Sequence, residues 1–504
     1  MNATKLTVLV AVAALSASCA RSPRATEIQP EDGALATVVQ SAPPAVQAVL
    51  DRSTPPRLAD PPALTLPPVV ERTLPNGLRL LIVEHHELPI ADVVLIVGTG
   101  GEADPPDKPG VATLVASMLQ EGTTTRSALE IAAQEAFLGA NVSSGGGWDA
   151  SRVSLHTPTA QLDSALALFA DVALNPSFPQ NELERLRQQR LTSLLQLRDR
   201  GPAIADRAYA SILYGEDHPY GRPLGGTEAA TEATTRADLE QFYRTHYRPN
   251  NATIVVVGDV QPADIEARIA RLFSGWERGA SPAVTYPDAP GAARTTVYLI
   301  DKPGAPQSSV RIGTVGVPRS TDDYFSLLVM NTILGGSFTS RLNNNLRETK
   351  GYTYGARSGF DMRREAGPFT ASAEVTGTKT DSSLIEFMKE LRGILDTVPQ
   401  GELEKAKRYL QLGLPASFET TGDIAFRLTP VVTYGLPLDY YNTYVQRIES
   451  VTQADVQRVA RRYLDPSKLA IVIVGDRANV EPTLRALNVG PVTVRDLTGR
   501  EIVP

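Results

Sequence analysis

Metal or nucleophile chemistry in this 504-residue chain has few residues to draw on: five histidines (His85, His86, His156, His218, His246) and a single cysteine, Cys19. The densest group is Glu84-His85-His86. Adjacent residues at a strand end point to opposite faces, so the triplet does not converge on one ion and reads as solvated polar residues. His218 and His246 stand in loop-like contexts and are expected to hydrogen-bond locally. His156 alternates with Val153 and Leu155 and reads as strand packing. Gly335-Gly336-Ser337 is a glycine-rich turn ahead of a helical stretch. It lacks the lysine and the fuller glycine pattern that cradle a phosphate. With 56 Asp+Glu against 49 Lys+Arg the formal net charge is −7, which offers no basic field to nucleic acid.

The elements that must position such residues begin after an unusual N-terminal stretch. The chain is 42% apolar with 12 Phe and 16 Tyr, enough for buried cores, and its length implies more than one domain. Residues 1–19 place Lys5 before an apolar run, Leu6 to Leu15, and then small residues, the pattern of an export signal. Cys19 falls where a bacterial lipoprotein signal is cut and the new N-terminus acylated; plain export with cleavage near Ala17 or Ala20 is the other outcome of the same pattern. The expected location is the bacterial periplasm, with a membrane anchor at Cys19. One cysteine excludes an intrachain disulfide framework. Residues 20–68 carry ten prolines, eight of them in four Pro-Pro pairs, and read as an extended tether in which Ala45–Asp51 is a candidate docking segment.

Beyond Val69 strand and helix periods alternate. Leu78–Val83, Asp92–Gly98 and Arg152–His156 read as strands, and Gln180–Arg200 as a long helix. Ser127–Ala140 reads as a helix opened by Ser127 and Glu130 in capping-box spacing. Asp238–Asp259 aligns without gaps on Asp455–Asp476 at an offset of 217, with eight of 22 positions identical. Both copies read amphipathic helix, proline turn, apolar strand, Gly-Asp. Glu182–Arg187 matches Glu402–Lys407 at an offset of 220. Offsets this long imply a duplicated α+β domain rather than a solenoid. The expected organisation is a domain over 69–278, a linker over 279–294 and a second domain over 295–504.

Three segments carry a family resemblance. ELPIADVVLIVGTGGEADPPDKPGVATLVASMLQEGT (87–123) resembles the opening of the pitrilysin/insulinase family of zinc metallopeptidases, EDHPYGRPLGGTEA (216–229) a later loop of the same domain, and GGSFTSRLNNNLRETKGYTYGARSGF (335–360) part of that family's second domain. The resemblance runs from Val69 to about Val489. It implies two homologous domains, each a mostly antiparallel sheet packed by helices, that form half of a clamshell chamber. Active members carry H-x-x-E-H on the helix after the first glycine cluster: two zinc ligands and a general base on one helical face. Here Thr113, Ala116 and Ser117 fall at those positions, and the window of the third ligand, Leu191–Leu195, has no carboxylate. The resemblance therefore implies no metal in this chain.

The second half keeps what the first has lost. Family members engage substrate through an Arg and a Tyr seven residues apart, and Arg347 and Tyr354 stand at that spacing, Arg347 near the end of an expected helix Thr339–Thr349 and Tyr354 at the start of the next strand. Tyr352 competes for the tyrosine role. Gly335, Gly336 and Ser337 are expected to approach a bound peptide backbone closely. Mitochondrial processing peptidase and paired bacterial relatives include zinc-free subunits of this kind. The resemblance implies a non-catalytic subunit that pairs with an H-x-x-E-H homologue as a heterodimer, the zinc residing in the partner and unstructured peptides being the substrate. A scaffold, or a homodimer that binds peptides without cutting them, is the alternative, since the same family has architectural members.

Overall fold

A computed structural model describes residues 66–497 and 501–502. The export signal, Cys19 and the tether through residue 65 lie outside the described residues. Two six-stranded sheets organise the rest. The first holds β1 (Val70–Thr73), β2 (Arg79–Glu84), β3 (Ile90–Val97), β4 (Asn141–Gly146), β5 (Ser151–Pro158) and β6 (Ala252–Gly258), in the order β1-β2-β6-β3-β5-β4. The second holds β7 (Thr296–Asp301), β8 (Gln307–Val315), β9 (Thr353–Phe360), β10 (Pro368–Thr376), β11 (Ala470–Gly475) and β12 (Val492–Arg495), in the order β12-β7-β11-β8-β10-β9.

The orders superpose strand for strand, β2 on β7, β6 on β11, β3 on β8, β5 on β10 and β4 on β9. In both sheets one internal pair is parallel, β2 with β6 and β7 with β11, and the other shared pairs are antiparallel. Only the outermost strand differs: β1 runs antiparallel to β2, whereas β12 arrives from the far end of the chain and runs parallel to β7. The repeat seen in the sequence is the pivot of each half. Helices Arg236–His246 and Gln453–Tyr463 both open on a threonine capping box, Thr235 with Asp238 and Thr452 with Asp455, and lead into the fully buried central strands β6 and β11.

The two halves share their cores. Helix Gly201–Tyr214, which belongs to the first half by sequence, lies on β8 and β11 of the second sheet. Its Ile204, Tyr209 and Leu213 are buried with Ile300, Val472 and Val474. Its counterpart, helix Thr421–Thr433, lies on β3 and β6 of the first sheet, burying Ile424, Leu428 and Val431 against Val94, Ile96 and Val255. Each crossing helix also has a polar tie. Arg311 of β8 donates to Asp206 at 2.6 Å, and the Thr421 hydroxyl donates to Asp92 of β3.

Local expectations hold with small shifts. The Ser127–Glu130 capping box forms at the head of helix Ala128–Leu138. The long helix runs over Gln180–Leu197 rather than to Arg200, because the next helix restarts at Gly201-Pro202, where proline supplies no amide to bond backward. Residues 276–295 between the sheets carry no helix or strand.

Candidate functional site

In the first half the three family metal positions lie on helix Val111–Met118, which enters from Gly110 in the left-handed region (φ +95°). Buried Asp104 caps it, accepting from the amides of Gly110 at 2.6 Å and Ala112 at 2.7 Å. Thr113 donates back to the Gly110 carbonyl at 3.0 Å, Ser117 donates to the Thr113 carbonyl at 2.9 Å, and Ala116 is fully buried. Arg190 comes from the long helix, one residue before the Leu191–Leu195 window. It reaches the same spot, with Nη1 donating to the Gly110 carbonyl at 2.8 Å and Nη2 to the Thr113 hydroxyl at 3.1 Å. Burial lowers the Arg190 pKa from its ordinary value, and the Asp104 carboxylate partly opposes that shift. Burial likewise pushes the Asp104 carboxyl up to about 7 against the pull of the Ala112 and Gly110 amides.

These residues do not fit a zinc ion. Thr113 offers a neutral hydroxyl already engaged in two directions, Ala116 offers nothing, and a guanidinium stands over the place a second cation would need. Among the described residues no group of three or more His, Cys, Asp or Glu is arranged to hold a metal.

The histidines serve local structure. His86 sits between Asp259 at 2.7 Å and Glu84 at 3.2 Å on the surface, and those two carboxylates raise its pKa. His218 accepts from the Tyr220 amide at 3.0 Å. Two expectations need correction. His246 ends helix Arg236–His246 rather than standing in a loop, buried against Phe242 with ring centroids 4.6 Å apart, and its Nδ1 has no hydrogen-bond partner among the described residues. His156 is exposed rather than packed: Val153 and Leu155 take the inward face of β5, which turns His156 outward to meet Asp92 at 3.0 Å.

In the second half the expected site residues converge. Gly335, Gly336, Ser337, Arg347 and Tyr354 line one pocket of about 570 Å³. Two stretches of π-helix build it. Thr332–Gly336 ends the helix that starts at Tyr324, and Asn344–Thr349 forms the second part of a helix that begins at Arg341, two residues later than the sequence suggests. Wide turns of this kind recur at functional sites. Gly335 packs so closely on β9 that a Cβ there would lie 2.3 Å from the Ser358 nitrogen. Gly351, with φ +65°, turns the chain from the helix toward β9.

A bulge then aims Tyr354. Ala373 pairs with Ala356 but Val375 pairs with Thr353, so Tyr354 and Gly355 together face Glu374. The result breaks the alternation of β9: Tyr354, Gly355 and Arg357 are exposed while Ala356 and Ser358 are buried. Tyr354 is 92% exposed. Tyr352 precedes the strand, lies outside the pocket lining and has Lys379 Nζ 5.9 Å from its ring centroid. The Arg347 guanidinium lies 4.5 Å from the Phe338 ring centroid and 3.4 Å from Glu348. The outer edge of β9 is closed further along, because Asn343 accepts from the Ala356 amide at 3.1 Å and Asn331 donates to the Ser358 carbonyl at 3.1 Å. A ligand here meets side chains more than free backbone.

Several lining residues escaped the sequence reading. Arg311, only 6% exposed at its side chain, reaches the pocket from central strand β8, paired with Asp206 at 2.6 Å and Glu374 at 3.0 Å. Its signal was an arginine inside the apolar run Val310–Ile312. Phe338, Asn343, Arg357 and Tyr409 also line the pocket, and none has a spacing that marks it.

Comparison with known proteins identifies the family and the fold. Residues 79–228 match the family model described as insulinase (peptidase family M16), and residues 233–410 match the one described as peptidase M16 inactive domain. A peptidase M16 inactive domain from Pseudomonas fluorescens, known as a crystal structure, is 30% identical with a TM-score of 0.76, covering 81% of this chain and 98% of that one. A protease from Helicobacter pylori has the same TM-score of 0.76 at 22% identity, covering 82% of this chain and 100% of that one, a likeness of fold alone. An uncharacterized zinc protease of Mycobacterium tuberculosis is 29% identical over 440 residues, 85% of this chain and 98% of the relative.

Proposed function

This chain belongs to the insulinase family of peptidases (family M16), and on that footing we propose that it is the zinc-free, substrate-handling subunit of a two-chain peptidase that acts on unstructured peptides. One observation carries the reading. The five residues expected to meet substrate line a single pocket, while Arg190 and Thr113 fill the metal position of the first half.

The hydrolytic step belongs to a partner with an intact H-x-x-E-H, which brings the zinc. This chain contributes positioning and charge. The Arg347 guanidinium and the Tyr354 phenol donate hydrogen bonds to a peptide carbonyl, on whose oxygen negative charge grows when water attacks. Gly335, Gly336 and Ser337 let the peptide backbone pass close to the pocket wall. Export with an anchor at Cys19 belongs to the same proposal and places the pair at a bacterial envelope.

The test is capture of the full-length chain from its native envelope fraction, with mass spectrometry of what accompanies it, then turnover by the reconstituted pair. The expected result is a stoichiometric H-x-x-E-H homologue. Turnover should fall about 100-fold or more in Arg347→Ala or Tyr354→Phe while assembly is kept, as for loss of one oxyanion donor. Tyr354 is 92% exposed and Arg347 half-exposed, so neither change removes a core contact. Undiminished turnover in both variants, or a homodimer with no such homologue, overturns the proposal and favours a scaffold or a peptide-binding homodimer.

A further inference from the structure

We infer that the pocket selects peptides that present a carboxylate, which Arg357 seats together with Arg347; this rests on the substrate-handling reading above. The argument is one of charge left over. Three guanidiniums line the pocket, those of Arg311, Arg347 and Arg357, against one carboxylate, Glu374. Arg311 is already satisfied by Asp206 at 2.6 Å and Glu374 at 3.0 Å. Glu374 is engaged in turn, accepting from both Arg311 and the Ser309 hydroxyl.

Arg347 is less committed than Arg311. Its only carboxylate partner among the described residues is the neighbouring Glu348 at 3.4 Å, in an exposed pair of the kind worth little in water. Arg357 is exposed and makes no side-chain hydrogen bond or ion pair among the described residues. It pairs with Ser372 in the regular part of β9, where alternation with buried Ala356 and Ser358 turns it outward, two residues beyond the bulge. The pocket thus offers an incoming carboxylate one unpaired guanidinium, Arg357, and one weakly paired guanidinium, Arg347.

Guanidinium forks suit a carboxylate, which they bind through paired N–H donors. Around them stand three exposed rings, Phe338 at 62%, Tyr409 at 54% and Tyr354 at 92%, which give an apolar neighbour of that carboxylate a place to rest. The carboxylate can come from an acidic side chain or from a free peptide C-terminus.

The test is fluorescence anisotropy of labelled unstructured peptides on the full-length chain. One peptide has an internal Phe-Glu and an amidated end, the second has Phe-Gln in its place, and the third has Phe-Gln with a free terminal carboxylate beside a second Phe. The expected result is about tenfold tighter binding of the Glu peptide than of the Gln peptide, with the ratio shrinking as salt is raised. The ratio should collapse toward one in Arg357→Gln and fall only in part in Arg357→Lys, which keeps the charge but not the paired donors. Binding of the third peptide as tight as that of the first supports the inference with the terminus as a source; binding no tighter than that of the second supports it only if the Glu peptide is preferred. Equal binding of all three overturns the selectivity and leaves the subunit reading standing. Failure of every peptide to bind overturns both.

Discussion

Cutting the chain between its two sheets should leave neither half folded, and the structure gives the size of the effect. A fragment 295–504 loses helix Gly201–Tyr214, which lies on β8 and β11. Four large side chains of that helix are buried in the native chain: Ile204, Tyr209, Leu213 and Tyr214. At about 2 kcal/mol for each, their removal costs on the order of 8 kcal/mol. Arg311 also loses Asp206 while remaining inside the sheet, a further cost of about 1–3 kcal/mol with Glu374 still present. A typical native stability is only about 5–15 kcal/mol. Fragment 66–294 loses Thr421–Thr433 from its own sheet in the same way. The assay is near-UV circular dichroism and urea unfolding of each fragment alone and of the two mixed. Neither fragment alone should unfold cooperatively, and mixing should restore a transition. A cooperative transition of isolated 295–504 at a midpoint close to that of the whole chain would refute the shared-core argument.

Two further outcomes follow from the buried polar groups. Glu102 accepts from the Gly100 amide at 2.9 Å, and burial, then the charge of Asp149, push its carboxyl from the ordinary 4.5 up to about 8. Because the folded pKa lies above the unfolded one, the bound proton stabilises the fold fully below about pH 4.5, and that contribution is lost as pH rises through 8. Glu102→Gln should therefore gain about 4 kcal/mol relative to wild type between pH 5 and pH 9 in urea midpoints, and a difference that does not vary with pH would sink the assignment. The triple change Thr113→His, Ala116→Glu, Ser117→His should bind no zinc in equilibrium dialysis and should lower stability, because Arg190 holds the spot and Ala116 is fully buried. Tight zinc binding by the triple variant alone would show that Arg190 does not block the position.

Much of the fold was legible because its signals are local. A threonine capping box, an amphipathic turn of helix and a β-branched strand recur at an offset of 217, and each of these forms wherever its own residues stand. The exchange of helices was not legible, since the apolar face of Gly201–Tyr214 reads the same whichever sheet it meets. Arg347 and Tyr354 could be picked out by spacing, but that Tyr354 rather than Tyr352 lines the pocket depends on a bulge opposite Glu374, a property of pairing between strands. Arg190 lies one residue before the window that the family pattern singles out, and only the packing of the long helix on Gly110 shows that it reaches Thr113. His156 was misassigned although the parity of Val153 and Leu155 already placed it on the outer face.

The two candidate sites differ in what they do for the fold, and the difference bears on how variants should be read. Arg190, Thr113, Ala116 and Asp104 are tied into the entry of one helix by hydrogen bonds and burial, so this position is part of the structure. A change there acts first on stability, through lost bonds or a stranded carboxylate. Tyr354, Phe338 and Arg357 are exposed, and exposed side chains away from special backbone positions seldom move stability by more than about 0.5 kcal/mol. Loss of peptide binding or turnover at these positions with an unchanged unfolding midpoint therefore cannot be ascribed to misfolding. The hydrophobic work of the fold is done elsewhere, in the sheets and the two crossing helices, and this leaves the exposed rim of the pocket free to be set by the ligand it meets.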